Sequence, residues 1–344
     1  MNAAPADLRR WLTARLMSLC AADTTSGAED VGLPVLRELL RELGARVVEQ
    51  SVAEGRTNVL ALWGEPRVLF STHLDTVPPY FLPRIEGEAL IGRGACDAKG
   101  QIVAQLAAVK TLLDEGREGL AWLGVVGEET DSAGAAAALG LTNHLQGLKA
   151  LINGEPTGLK LAAGQRGVQQ ICLGCEGRAA HSGSPELGRN ATWPLLDWLQ
   201  RLRQQPRPVD GKLGPELWNL GLLQAGEALN SVPAKAVAHL MVRTVPGSTF
   251  LDEVRRLAPP EGSVDLRLDE PADLYPAVRG FDLAPMPFGS DAPALRALVP
   301  DRTVVLAGPG SITVAHTLDE HLTLTDLEAG ADLNRRLALH FLGD

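Results

Sequence analysis

Short apolar runs, each cut off by a glycine, proline or acidic residue, alternate along this chain with segments whose apolar residues return every three or four positions. The first kind reads as buried strands and the second as amphipathic helices. Leu8, Trp11, Leu12, Leu16 and Leu19 mark an opening helix, with Arg9, Arg10 and Arg15 between them. A polar loop, Asp23 to Gly27, leads to a second helix carrying Leu33, Leu36, Leu39, Leu40 and Leu43, which Gly44 is placed to stop. Strands are expected over 46–52, 58–63 and 68–72, and a helix over about 98–115. A strand over 120–126, an alanine-rich helix opened by Ser132 and a strand over 148–152 follow. This alternation predicts an α/β fold, a mostly parallel sheet flanked by helices.

From about Gly164 the pattern changes. A strand over 168–173, a helix over 191–203, strands over 217–223 and 236–242, a helix over 250–257 and a strand over 264–268 succeed one another. That order, β-α-β-β-α-β, is the ferredoxin-like arrangement of an open antiparallel sheet with two helices on one face. The α/β features then return, with a strand over 303–306, the turn Gly308-Pro309-Gly310 and a closing helix from about Thr325. Residues 165–270 therefore read as an inserted α+β domain, and 1–164 with 271–344 as the domain that receives it.

The length of 344 residues and the 45% hydrophobic content suit two domains with a sizeable core. A formal net charge of −10 and the lack of any basic block argue against a nucleic-acid partner. Of the four cysteines, Cys172 and Cys175 match a C-x-x-C spacing, but inside a strand-like run and with no second pair. All four read as buried or half-exposed thiols of a reducing compartment. The first helix does not have the pattern of a signal peptide, and no apolar run reaches membrane-spanning length. A soluble, cytoplasmic protein with no membrane partner is expected.

The chemistry gathers where strands run out. Pro78-Pro79 forbid continuation of the strand over 68–72, which leaves His73 and Asp75 at its carboxyl end, where open α/β sheets bind ligands. Taken singly, each candidate has a plain explanation. His73 could be satisfied by a neighbouring carboxylate, Asp97 could cap the following helix, and Glu128-Glu129 could be a solvated strand end. Glu155 and His316 nevertheless recur in the same kind of position. His73, Asp97, Glu129, Glu155 and His316 together offer two imidazoles and three carboxylates, a donor set suited to zinc with a position left for water. If one carboxylate bridges, two metals about 3.5–4 Å apart would each have three protein ligands and share a water.

The stretches Ser71-Thr72-His73-Leu74-Asp75-Thr76-Val77-Pro78, Gly92-Arg93-Gly94-Ala95-Cys96-Asp97-Ala98-Lys99-Gly100 and Gly127-Glu128-Glu129 resemble the successive signatures of the M20-type co-catalytic zinc deacylases and peptidases. That family includes acetylornithine deacetylase, succinyl-diaminopimelate desuccinylase, aminoacylase and bacterial carboxypeptidase G. The resemblance covers nearly the whole chain. It is closest to the acetylornithine deacetylase branch, through Gly308-Pro309-Gly310-Ser311-Ile312, Ala315-His316 and Asp319-Glu320. Cys96 departs from the pattern, where the family more often has another small residue.

The resemblance implies two zinc ions per chain, with cobalt able to substitute. His73 and Glu155 would hold one, Glu129 and His316 the other, and Asp97 would bridge them. Asp75 would accept the remaining N–H of His73, and Glu128 would be the general base that activates a water between the metals. The inserted domain would serve as lid and dimerisation unit of a homodimer, with His181 reaching the partner's site to stabilise the oxyanion. Arg243 and Asn230, with Arg166 behind them, would anchor a substrate carboxylate, and Gly289, Ser290 and Gly308 would line the pocket. His144, His239, His321 and His340 receive no role. The implied reaction is hydrolysis of an N-acyl amino acid, with N-acetylornithine or N-acetylcitrulline favoured. A dipeptidase, an aminopeptidase or a deacylase for another acyl group such as succinyl is the alternative, and a binding protein that has lost catalysis is the rival from another class. That last reading expects a missing ligand or base, and every position is filled.

Overall fold

Strands Arg46–Ala53, Arg56–Trp63, Leu120–Val125, Val68–His73, Ala150–Asn153 and Val304–Leu306 lie side by side in that order in a computed structural model that describes residues 5–301 and 303–343. The first two pairings are antiparallel and the remaining three parallel. The sheet is thus mixed, with three of its five pairings parallel. Its central members, Val68–His73, Leu120–Val125 and Ala150–Asn153, are buried at every position, including the polar Ser71, Thr72, His73 and Asn153 at their carboxyl ends. Arg46–Ala53, at the edge, keeps alternate residues exposed.

Helices flank this sheet. Helix Lys99–Asp114 is buried on nearly all sides, because Pro5–Cys20 and Leu324–Leu342 pack against it while it lies on Val68–His73. Leu12, Leu16, Leu106, Val109, Trp122, Phe70 and Leu337 share one core. A three-stranded antiparallel ribbon, Arg84–Glu86, Ala89–Ile91 and His321–Thr323, was not expected from the sequence pattern. Its strands of three residues are too short to show a period.

The chain divides into two compact units, one holding the residues up to 162, 275–284 and those from 290 on, the other 163–274 and 285–289. In the second unit Leu217–Ala225, Lys235–Thr244, Gly167–Glu176 and Gly262–Glu270 form an antiparallel sheet in that order. Helices Thr192–Arg203 and Phe250–Leu257 bury Leu195, Trp198, Leu202, Phe250 and Val254 against Ile171, Leu173, Ala238, Leu240 and Val242. The indole N–H of Trp198 donates to the Val254 carbonyl at 3.0 Å and ties the two helices. Chain order and spatial order together give the ferredoxin-like arrangement. Its edge strand, Leu217–Ala225, leaves Leu217, Leu220, Leu222 and Leu223 exposed. Among the described residues no helix is long and apolar enough to cross a membrane.

Candidate metal centre

Because Leu120–Val125, Val68–His73, Ala150–Asn153 and Val304–Leu306 run parallel, their carboxyl ends lie along one edge of the sheet. His73 ends one of these strands, Glu128 and Glu129 follow another, Glu155 a third and Gly308 the fourth. Asp97 stands two residues before helix Lys99–Asp114 and makes no helix cap. His316 comes from a loop, with φ at 64°, a left-handed conformation uncommon for a residue with a side chain.

Asp97 offers one oxygen to each imidazole: Oδ1 lies 3.0 Å from His73 Nε2 and Oδ2 lies 3.4 Å from His316 Nε2. His316 Nε2 is also 2.9 Å from Glu129 Oε1. Ligand-capable atoms of His73, Asp97 and Glu129 all fall within 4.8 Å of one another. Two ligands bound to one zinc at about 2.0–2.1 Å in tetrahedral geometry stand about 3.3 Å apart, so this donor set fits a metal of that kind. Glu155, 4% exposed, is close enough for its charge to be felt with those of Asp97, His73 and Glu129.

The ring of His73 is fixed from behind. Its Nδ1 lies 3.0 Å from the main-chain carbonyl of Asp75, which can only accept. Nδ1 therefore carries the hydrogen, and Nε2 is left for a cation. The Asp75 carboxylate stands behind the ring as well, and it carries a second set of bonds. Its nearer oxygen is 3.5 Å from the ring nitrogen, whereas the two oxygens accept the N–H groups of Gly127, Glu128 and Glu129 at 3.0, 3.2 and 3.1 Å. The Ser26 hydroxyl adds a fourth bond at 2.7 Å. Three successive amides converging on one anion form a nest, here filled by a side chain of the same protein.

Charge in the cluster is strongly perturbed. Burial opposes the imidazolium of His73, yet Asp75 and Asp97 hold its pKa well above the usual histidine range. Hydrogen bonds to Asp97 and Glu129 push His316 up to about 10. Burial raises Asp97, but bonds from His316 and His73 outweigh it and leave the group far below an ordinary carboxylate. Desolvation carries Glu128 well above its usual range; His73 pulls it back, and Glu155, Asp291 and Glu129 push it up again. Desolvation raises Glu155 likewise, with Asp97 adding to it. Several carboxylates crowded around two imidazoles make a site whose charge balance favours a bound cation.

The other predicted positions fall in two groups. Gly308 is pinned between Gln101 and Glu155: a Cβ there would lie 1.9 Å from Gln101 Oε1 and 2.6 Å from the Glu155 carbonyl. Ser290 accepts the Ala292 N–H, and Gly289 precedes it. In the second unit His181 is exposed, accepts the Gly183 N–H on Nδ1, and pairs with Ser231 beside Asn230. Arg243 is partly buried, and both desolvation and the nearby Arg166 depress its pKa against Glu270. Arg166 itself donates to the Leu213 carbonyl at 2.7 Å. Sequence reasoning gave no role to Asp291, Ser26 or Asn58, nor to Arg93 and Glu320, although both stand in the stretches that carry the resemblance. Asp291 directly follows Gly289 and Ser290, which was the available signal.

Carboxylates and imidazoles clustered at the ends of parallel strands make a candidate metal centre. A family model described as peptidase family M20/M25/M40 matches residues 69–340. A chain from Aspergillus clavatus named a probable carboxypeptidase is 35% identical over 344 residues, which take in 89% of this chain and 82% of that one. An aminopeptidase from Bacillus cereus has the same fold, with a TM-score of 0.80 at 17% identity over 97% of this chain and 99% of that one. A dinuclear metal-binding peptidase of the M20 family from Bacillus subtilis gives 0.71 at 16% identity, over 96% and 99%. The chain belongs to peptidase family M20/M25/M40 and is an enzyme of that metallopeptidase class.

Proposed function

We propose that this enzyme hydrolyses an amide bond whose amine half is an amino acid with a free α-carboxylate, at a centre of two divalent metal ions. The observation that carries the reading is the convergence of His73, Asp97, Glu129 and His316, with donor atoms 2.9–3.4 Å apart in sequence-distant loops. His73 and Glu155 would hold one ion, Glu129 and His316 the other, with Asp97 between them. Zinc suits the donors, and cobalt would substitute. When bound, the ions would supply a water of lowered pKa and polarise the scissile carbonyl.

The chain's own groups do the rest. Glu128, beside a ligand and raised in pKa, takes a proton from the attacking water and returns it to the leaving amine. His181 donates to the developing oxyanion. Arg243, with Arg166 near it and Asn230 in the same unit, holds the substrate carboxylate in a charge-assisted fork. Main-chain groups of Gly289, Ser290 and Gly308 line the acyl side. The exposed edge Leu217–Ala225 supports a homodimer formed by pairing with a second copy, so that His181 serves the partner's site. Four free cysteines fit a reducing, cytoplasmic setting.

This bond type is common to a carboxypeptidase, the name borne by the Aspergillus clavatus relative, and to a deacylase of N-acyl amino acids. N-acetylornithine and N-acetylcitrulline belong to the second group and rest on the motif resemblance alone. A dipeptidase cleaves the same bond type, and an aminopeptidase is the second reading, favoured by the name of the Bacillus cereus structure. The deciding experiment measures amine release from acetyl-, succinyl- and glutamyl-amino acids and dipeptides, each paired with its carboxamide, with zinc or cobalt added. Acids should be cleaved roughly 10- to 150-fold faster than amides, the worth of one charged hydrogen-bonded contact. Equal rates would refute the carboxylate clamp, and full activity in metal-free protein would refute the metal mechanism.

A further inference from the structure

Arg93 and Glu320 form an ion pair whose side chains are both 0% exposed, far apart in sequence and outside the ligand set. One Glu320 oxygen meets Arg93 Nη1. The other accepts two main-chain N–H groups, from Cys96 at 3.1 Å and from Asp97 at 3.0 Å. Arg93 is itself anchored, donating from Nε to the Pro79 carbonyl at 3.1 Å and lying 5.2 Å from the centre of the Phe81 ring. The two segments are also joined through their backbones. Gly92 N–H donates to the Glu320 carbonyl at 3.0 Å, and His321–Thr323 pairs with Ala89–Ile91.

A fully buried ion pair is a poor device for stability, since desolvating two charges costs about as much as their attraction returns, and an apolar pair often serves better. Its worth lies in what its directed bonds fix. Glu320 stands four residues after His316, and the amides it binds include that of Asp97. We propose that Glu320 is a positioning residue that sets the distance between Asp97 and His316 by accepting the Cys96 and Asp97 amides and so locking the 316–320 and 93–97 segments into one body. This rests on the reading of Asp97 and His316 as metal ligands. The spacing it sets is the 3.4 Å between Asp97 Oδ2 and His316 Nε2, and a few tenths of an ångström there decide whether both reach one ion. No ligand is removed by changing Glu320, so the effect falls on the metal site of His316 and Glu129 more than on that of His73 and Glu155.

Two double variants separate positioning from charge pairing. Arg93→Met with Glu320→Gln keeps a carbonyl to accept the Cys96 and Asp97 amides; Arg93→Met with Glu320→Leu removes it. Both delete the buried ion pair. Full-length proteins, checked by circular dichroism, are stripped of metal and titrated calorimetrically with zinc. The glutamine form should bind two ions with affinities within about threefold of the parent. The leucine form should keep the tighter ion and bind the other roughly 10- to 100-fold more weakly, the usual cost of losing a group that orients a ligand. Should the leucine form fail to fold, Glu320→Asp with Arg93 intact replaces it. It preserves the charge but falls one methylene short of the amides, and the same weakening of one ion is expected. Parental affinity for both ions in the folded leucine form, or in Glu320→Asp, overturns the proposal. Failure of the underlying reading looks different: the parent itself would not bind two ions, or His316→Ala would leave both in place.

Discussion

Asp75→Asn is a nearly isosteric change at a group that is 0% exposed, so its effect can be worked out bond by bond. The carboxylate accepts from Gly127, Glu128 and Glu129 N–H and from the Ser26 hydroxyl. An amide keeps one oxygen for Gly127 and Glu128, which share Oδ1, and turns an NH2 group toward the other two partners. The Ser26 hydroxyl can rotate and accept. The Glu129 N–H cannot, and it is left facing a donor. One charge-assisted bond is lost, worth about 1.5–3 kcal/mol, or roughly 10- to 150-fold in the equilibrium for opening the turn. Hydrogen exchange read on a peptide spanning 120–134 should show amides 127–129 exchanging faster by about that factor. Turnover should fall roughly 100-fold, the cost of moving a proton-transfer group by about an ångström. The bond from His73 Nδ1 goes to the Asp75 main chain and survives, so affinity for the ion on His73 should change little. Unchanged exchange at 127–129, with metal lost from His73 instead, would refute the nest argument and leave the contact with the ring as what Asp75 supplies.

The adjacent glutamates should separate in a metal assay: Glu128→Ala keeps both ions and loses about 10²–10⁴ in turnover, while Glu129→Ala loses one ion. The opposite pattern would exchange their roles. Gly308→Ala forces a Cβ to within 1.9 Å of Gln101 Oε1 and 2.6 Å of the Glu155 carbonyl, and should destabilise by about 1–3 kcal/mol with weaker metal binding. An unaltered melting temperature and metal affinity would show that the 308 backbone yields freely. Chains carrying His181→Ala and Glu128→Ala, each nearly inactive alone, should regain activity when mixed under verified subunit exchange. Dead mixed dimers would place His181 in its own chain's site or in none.

The parts of the fold legible in the sequence are those where one segment suffices to define an element. Leu120–Val125 is apolar throughout and Val68–His73 opens on the apolar run Val68-Leu69-Phe70, so each announces its burial. Strand direction is not written in a strand's own residues, and two antiparallel pairings made the sheet mixed. The ribbon of Arg84–Glu86, Ala89–Ile91 and His321–Thr323 depends on a partner more than 200 residues away in the chain. The same division holds at the site. His73, Glu129 and Glu155 stand at strand ends, where residue type and position together draw the eye. Asn58 looks like any strand polar residue, and Glu320 stands in a stretch that carries the resemblance but shows no role, until the chain brings their targets to them. The left-handed backbone of His316 is equally silent, since nothing in Ala315-His316-Thr317 demands it.

The ends of parallel strands are a demanding place to hold metal ligands, because the hydrogen-bonded ladder stops where the ligands begin. Several of the segments that carry the candidate ligands are held instead by buried polar side chains. Asn58 takes the Val126 N–H at 3.1 Å and gives to the Gly134 carbonyl at 2.8 Å, bracketing the turn of Glu128 and Glu129. Gln101 donates to the carbonyls of Cys96 and Pro309, both at 2.9 Å, joining the Asp97 turn to the Gly308 loop. Gln105 donates to the Ser71 carbonyl, just before His73, and accepts the Trp122 indole N–H at 3.0 Å. Thr157 receives the Gly308 N–H at 2.9 Å, close to Glu155. Each bond adds only about 1 kcal/mol net, but a loop that shifts leaves a buried group unpaired at about 1–3 kcal/mol. The asymmetry makes displaced loops costly while adding little to global stability. Substitutions at Asn58, Gln101, Gln105 or Glu320 should therefore disturb metal geometry more than melting temperature, the reverse of what trimming Leu106 or Phe70 in the apolar core would do.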